Sequence, residues 1–241
     1  MRVRLHTRMM AALLLAASIG SGAAAAPPTV LELFTSQGCS SCPPADRLFA
    51  TLAGDPQFIV LSLPVDYWDR LGWKDTFAKH AFTERQVAYS RMRGDGQVYT
   101  PQAVVNGSEH ANGGNRRAID AAAATTAPAG VPLMAQHREG EIVVTVGAAT
   151  GVAAQRATIV VLPYFASREV AIGRGENARH KVTYTNIARD IILLGEWSGA
   201  PVTQKIALSR GEDYDGVVVL LQEGSLRNPG AILGADRIAL R

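Results

Sequence analysis

The chain is poor in the side chains that build metal clusters, with only two cysteines and five histidines among 241 residues. A structural zinc site takes four ligands, and beside Cys39 and Cys42 the remaining candidates, His80, His110, His137 and His180, are far apart in sequence among polar or turn residues. That scatter argues against zinc. Copper(I) needs fewer ligands and stays open as an alternative use of Cys39 and Cys42. No apolar run after residue 26 reaches the length of a membrane-crossing helix, so no membrane span is expected in the mature chain.

Excess charge is lacking too, once the first 26 residues are set apart. The whole chain holds 24 Lys+Arg and 21 Asp+Glu, but Arg2, Arg4 and Arg8 lie in that opening segment and no acid does. The remainder carries 21 of each sign. A basic surface that would recruit nucleic acid is therefore not expected, and the high pI belongs to the opening segment. Nor does a helix follow Gly173-Arg174-Gly175, so a solvated hairpin is preferred there to a phosphate cradle. A specificity loop aiming Arg174, Glu176 and Asn177 at the cysteines is the less favoured alternative.

What is present begins with a leader. Three arginines, the apolar stretch Ala11 to Ile19 and the small residues ending at Ala26 have the form of a secretory signal peptide over residues 1–26. A secreted protein is expected, periplasmic if the cell is Gram-negative. Disulfides persist in such a compartment.

The most informative stretch is Val30 to Pro44. Val30 to Phe34 reads as a short buried strand, Ser36-Gln37-Gly38 as a turn, and Cys39-Ser40-Ser41-Cys42 as the entry to a helix. A helix start near Cys42, with Pro43 at its first position, accommodates the two prolines, and Leu48, Phe49 and Leu52 follow at helical spacing. Unpaired N–H groups at such a start favour a thiolate, and a thiol three residues on can close a disulfide with it. As a mere staple, so small a loop would contribute only about 2 kcal/mol. A redox-active dithiol is the preferred reading, with the metal site and the staple as alternatives.

Further on, Phe58 to Leu63 reads as a second buried strand, and Val65 to Asp75 as an aromatic-rich loop that either binds or covers. Thr83 can cap a surface helix over Glu84 to Arg93. Asn106-Gly107 marks a hairpin joining Gln102–Val105 to Ser108–His110, with Pro101 opening its first strand, and Asn115 caps an Ala-rich helix. Ala127 to Pro132 looks like a linker. Beyond it, runs at Ile142–Val146, Ala157–Leu162, Lys181–Ile187, Val202–Leu208, Val217–Leu221 and Ala231–Leu240 have the spacing of an all-β sandwich.

Glu32 to Asp46, Val65 to Asp69, Gly72 to Asp75, Val98 to Gly107 and Ala171 to Asn177 together resemble the exported thioredoxin-like family catalogued as domain of unknown function 1223. The resemblance implies an α/β thioredoxin-like N-terminal domain over residues 27–127. A linker at 128–132 and an all-β sandwich-like C-terminal domain at 133–241 complete the expected organisation. It also implies Cys39 as attacking thiol, Cys42 as resolving thiol, Thr100 and a cis Pro101 facing the substrate, and Glu32 as a proton shuttle. From the residues themselves an ordinary carboxylate at a strand edge is the preferred reading of Glu32, with the shuttle as the alternative. The implied activity is that of a thiol-disulfide oxidoreductase acting on a protein or small-molecule thiol or disulfide. It calls for no cofactor beyond the redox-active disulfide, and for an accessible Cys39 sulfur.

Overall fold

The structure, a computed structural model, describes residues 26–126, 130–149, 156–208 and 214–240. The expected leader, apart from Ala26, and residues 127–129 at the start of the expected linker lie outside them.

Strand β1 (Thr29–Thr35) is covered on both faces, as its nearly unbroken apolar run requires. Val30 and Phe34 enter one core, and Leu31 and Leu33 enter another on the opposite side. After the turn comes α1 (Pro43–Leu52), with Cys42 at its N-cap and prolines in its first two positions. β2 (Phe58–Pro64) returns parallel to β1. A short 3-10 turn at Asp69–Leu71 leads to α2 (His80–Arg93), which begins before Thr83. The Thr83 hydroxyl caps no helix and donates to Asp66 at 2.6 Å.

β3 (Gln102–Val105) runs antiparallel to β1 and pairs with β4 (Glu109–Asn112) across Asn106 and Gly107, which take the left-handed φ values of 47° and 73° that a tight hairpin demands. α3 (Arg116–Thr125) follows, capped by the Asn115 side chain accepting from the Ala118 N–H. In the second half lie β5 (Leu133–Arg138), β6 (Glu141–Val146), β7 (Ala157–Ala171), β8 (Lys181–Ala188), β9 (Ile192–Trp197), β10 (Val202–Ala207), β11 (Gly216–Ser225) and β12 (Asn228–Ala239).

Pairing of these strands corrects the expected fold class. An α/β thioredoxin-like N-terminal domain followed by a separate all-β sandwich-like C-terminal domain is not what forms. Instead, β12-β11-β7-β8-β2-β1-β3-β4 is one continuous mixed sheet, with β9 also on β7. Strands from both halves thus share a single hydrogen-bonded layer. The join is β2 to β8, through Ser62 opposite Ile187. Ser62 Oγ donates to the Thr185 carbonyl at 2.9 Å, and Asn186 Nδ2 donates to the Val60 carbonyl at 3.0 Å. The alternation of residues locates strands; it does not say which partner each takes, so the long-range pairing was illegible in it.

Three layers cover the sheet. α1 and α3 pack on Leu31, Leu33, Val60 and Val105. α2 supplies Phe82 and Tyr89 to the opposite face, where Phe34 and Leu61 meet Val160, Leu162 and Val218. A second, three-stranded sheet, β10-β6-β5, closes over Ile159, Val161, Val219 and Leu221 with Val144 and Ile142. No helix among the described residues is long and apolar enough to cross a membrane.

Candidate redox site

The turn after β1 is built by backbone bonds. Cys39 N–H donates to the Ser36 carbonyl at 3.1 Å, and Cys42 N–H donates to the Cys39 carbonyl at 3.2 Å. Cys42 then accepts from the Ala45 and Asp46 amides, at 2.9 and 3.1 Å, as α1 starts. This geometry brings the two Cα atoms to 5.4 Å, and Cys39 and Cys42 form a disulfide. Pro43 and Pro44 contribute no N–H, so the helix start offers a thiolate fewer donors than most. Ser41 Oγ, 3.4 Å from Cys39 Sγ, is a hydroxyl able to make up part of that deficit.

The expectation of an accessible sulfur is not met. Cys39 and Cys42 are both 0% exposed, although Ser40 and Ser41 between them face solvent. The aromatic loop before α2 packs on the residues just ahead of Cys39. Trp73 Nε1 donates to Gln37 Oε1 at 2.9 Å, Gln37 N–H donates to Asp75 at 2.8 Å, and the Trp68 Cβ sits against Gly38. The loop between β7 and β8 reaches the same turn. Asn177 Nδ2 donates to the Gln37 carbonyl at 3.0 Å and to the Cys39 carbonyl at 2.8 Å. The loop is the solvated hairpin expected, joining antiparallel β7 and β8 with residues 173–176 exposed, and from it Glu176 and Asn177 also reach the Cys39 turn.

Thr100-Pro101 is a cis peptide at the entry to β3. Thr100 Oγ1 accepts from Trp68 Nε1 at 2.8 Å, and Pro101 and Ala45 both border Gly113. Both residues therefore lie at the end of the sheet where α1 begins.

Glu32 is not brought to the disulfide. Side chains alternate across a strand, and with Thr35 on the α1 side Glu32 falls on the α2 side. There it accepts from Arg85 Nε at 2.6 Å and Nη2 at 3.0 Å and from the Tyr89 hydroxyl. Burial alone would lower the Arg85 pKa, but the facing Glu32 charge holds it above its ordinary value. Arg85 Nη2 also donates to Gln222 Oε1 at 3.0 Å, tying this network to β11. The alternation of β1 thus makes Glu32 a buried ion-pair partner.

The acid beside the dithiol is Asp46, one helical turn after Cys42 on the buried face of α1. Its Oδ1 accepts from Thr35 Oγ1 at 2.8 Å, and its Oδ2 is buried without a hydrogen-bond partner. Burial pushes the Asp46 pKa up to about 7, Asp75 adds to that, and the Thr35 hydrogen bond and Arg47 work against it. Asp75 is itself raised to about 6 by burial, despite accepting amides from Gln37, Phe77 and Ala78. Tyr184 on β8, whose pKa is raised by burial and then by the charges of Asp46 and Asp75, lies near both carboxyls.

Chain similarity agrees with the breadth of this arrangement. A family profile described as "Protein of unknown function (DUF1223)" matches residues 30–222. The chain belongs to that family. It is similar to a protein from Agrobacterium tumefaciens of known crystal structure, with 35% identity and a TM-score of 0.78, over 90% of this chain and 96% of that one. No curated protein matches. The family match runs from the first core strand through β11, so it spans the join at β2 and β8.

Within this DUF1223 chain, Asp46, Gln37 and Asp75 are the site residues that the sequence did not single out, and Asn177 was named there only in the less favoured reading of its loop. Asp46 left a signal, being an acid at i+4 from Cys42 and i−3 from Phe49 on the apolar stripe of its helix. For Asn177 the signal was its motif alone, because its contact with the Cys39 carbonyl is 138 residues away. His110 lies apart from the disulfide, 3.2 Å from Asp95, with its pKa lowered by burial and by Arg93. Among the described residues no group of three or more His, Cys, Asp or Glu side chains is gathered to hold a metal ion.

Proposed function

We propose that this protein is an exported thiol-disulfide oxidoreductase acting through the Cys39–Cys42 disulfide. The observation that carries the reading is a Cys-x-x-Cys disulfide at a strand-turn-helix junction with a buried carboxyl, Asp46, one turn along and titrating near neutrality. An incoming thiolate attacks Cys39 Sγ, the Cys39–Cys42 bond breaks, and Cys42 leaves with the electron pair. Protonated Asp46 supplies the proton that converts Cys42 to its thiol, and in the reverse direction the Asp46 carboxylate takes it back. The substrate then leaves when its second thiolate attacks the mixed disulfide, freeing Cys39 and transferring two electrons to the protein. A carboxyl with a pKa of about 7 exchanges protons efficiently in either direction near neutral pH.

The resemblance to the thioredoxin-like superfamily supports this chemistry through the local geometry alone: strand, turn, Cys-x-x-Cys, helix and the cis Thr100-Pro101 peptide. The leader form of residues 1–26 supports export to a compartment where dithiol chemistry is in use. Cell fractionation tests it, and retention in the cytoplasm defeats it.

Zero exposure of both cysteines favours a second reading, a permanent staple. Equilibration in glutathione and dithiothreitol buffers separates the two. An exchange centre titrates while the protein stays folded, and Cys42→Ser accumulates mixed disulfides at Cys39. A staple resists millimolar reductant until the protein unfolds.

A further inference from the structure

The Ile172–His180 loop is closed on itself at its base. Ile172 N–H donates to the His180 carbonyl at 2.9 Å, and Arg179 N–H donates to the Ile172 carbonyl at 2.8 Å. Ile172 is anchored in a small core with Val182, Tyr184 and Ile187. Between these fixed ends, residues 173 to 176 are exposed and bury no apolar side chain. They hold to the body of the protein by few contacts. Trp73 lies under Gly173 so closely that a Cβ there would come within 3.1 Å of its ring. Glu176 Oε2 accepts from the Ser40 N–H at 3.4 Å. Asn177, 5% exposed, makes the two bonds to the Gln37 and Cys39 carbonyls.

From this we infer that residues 172–180 form a strap gating the disulfide, with Asn177 as the latch that positions the Cys39 carbonyl and bars entry to its sulfur. The inference rests on the exchange reading for its purpose, but not for its measurement. A segment held by a handful of polar bonds and the ring of Trp73, with its own buried apolar side chain only at its base, belongs to the less stable part of a fold and opens without global unfolding. Opening frees the Ser40 N–H as well. That amide, adjacent to Cys39, then becomes available to the thiolate freed at Cys39 when the oxidised substrate departs, so one movement both admits the substrate and stabilises the leaving sulfur. The exposed Glu176 carboxylate beside it works the other way while the strap is down.

The test is the rate at which dithiothreitol reduces the oxidised mature protein, read by acid quenching and alkylation of the freed thiols. Each turnover forms one cyclic dithiothreitol disulfide and two protein thiols, so alkylation counts it directly. Loss of both Asn177 bonds is expected to raise the reduction rate of Asn177→Ala by about tenfold to a hundredfold, and Asn177→Asp, unable to donate, does the same. Glu176→Gln, which keeps the reach but weakens one long contact, is expected to change it by no more than about threefold. Wild-type rates that equal those of Asn177→Ala overturn the latch. The urea dependence of the wild-type rate covers the case in which a variant folds poorly. A rate independent of low urea reports the local opening of a strap, and one rising with the slope of global unfolding shows that there is no gate. A failure of exchange itself looks different: Cys42→Ser then traps no partner, while the Asn177 variants still change access by dithiothreitol.

Discussion

Replacing Asp46 by asparagine probes the site through stability as well as through chemistry. Burial raises this carboxyl from an ordinary 3.8 to about 7. The sign follows from proton binding: between those two values the folded state holds a proton that the unfolded chain has lost, so ionisation opposes folding. Stability from this group is therefore greatest below about pH 4 and falls as pH rises, until the carboxyl is ionised in both states above about pH 7. Integrated between pH 5 and 8, the loss is about 3 kcal/mol. Asparagine keeps the shape and the acceptor for Thr35 but cannot ionise. It also places an NH2 where Oδ2 has no hydrogen-bond partner, at a cost of about 1–3 kcal/mol that does not vary with pH. Urea titrations of the oxidised wild type and of Asp46→Asn at pH 5 and pH 8 isolate the effect as a difference of differences, in which the other titrating groups largely cancel. The variant is expected to gain about 3 kcal/mol relative to wild type over that interval. A gain below about 1 kcal/mol means that Asp46 is not the desolvated acid described here. The same variant should slow reduction of the disulfide by tenfold or more near pH 6, on the usual scale of proton-transfer catalysis.

Glu32→Gln tests the other buried acid. Breaking its pair with Arg85 should cost about 3–5 kcal/mol in urea unfolding, with the reduction rate of the still-folded protein unchanged, and a slowed rate would restore Glu32 as a shuttle. Gly113→Ala should destabilise by about 1–3 kcal/mol, because its Cβ would fall 2.6 Å from Leu33 Cδ1. A wild-type urea midpoint refutes that crowding. Protein reduced and purified without oxygen in the presence of copper(I) should hold less than one copper per chain, at the same level in Cys39→Ser. Stoichiometric metal that this substitution removes favours the binding alternative over exchange.

Much of the site's local frame was readable along the chain. Cys42 starts α1 with Pro43 and Pro44 in its first two positions, Asn106-Gly107 turns the β3–β4 hairpin, and Asn115 caps α3. Each depends on neighbours a few residues away, where backbone sterics and capping bonds act. The weakly apolar β5 and β9 were missed, since Gln136, His137 and Arg138 in one and the half-exposed Leu193 in the other give little alternation.

Residue order alone brought the two sulfurs together, because a Cys-x-x-Cys turn leading into a helix is settled within four positions. Whether a thiol reaches that disulfide was decided by the tertiary structure. Pairing of β2 with β8 brings Asn177 to the Cys39 carbonyl, and the single pleat of β1 sends Glu32 to one side and Thr35, bonded to Asp46, to the other. The first outcome depends on hydrogen bonds spanning more than a hundred residues, which local propensity does not encode, and the second on strand alternation fixed by an ion pair between residues 53 apart.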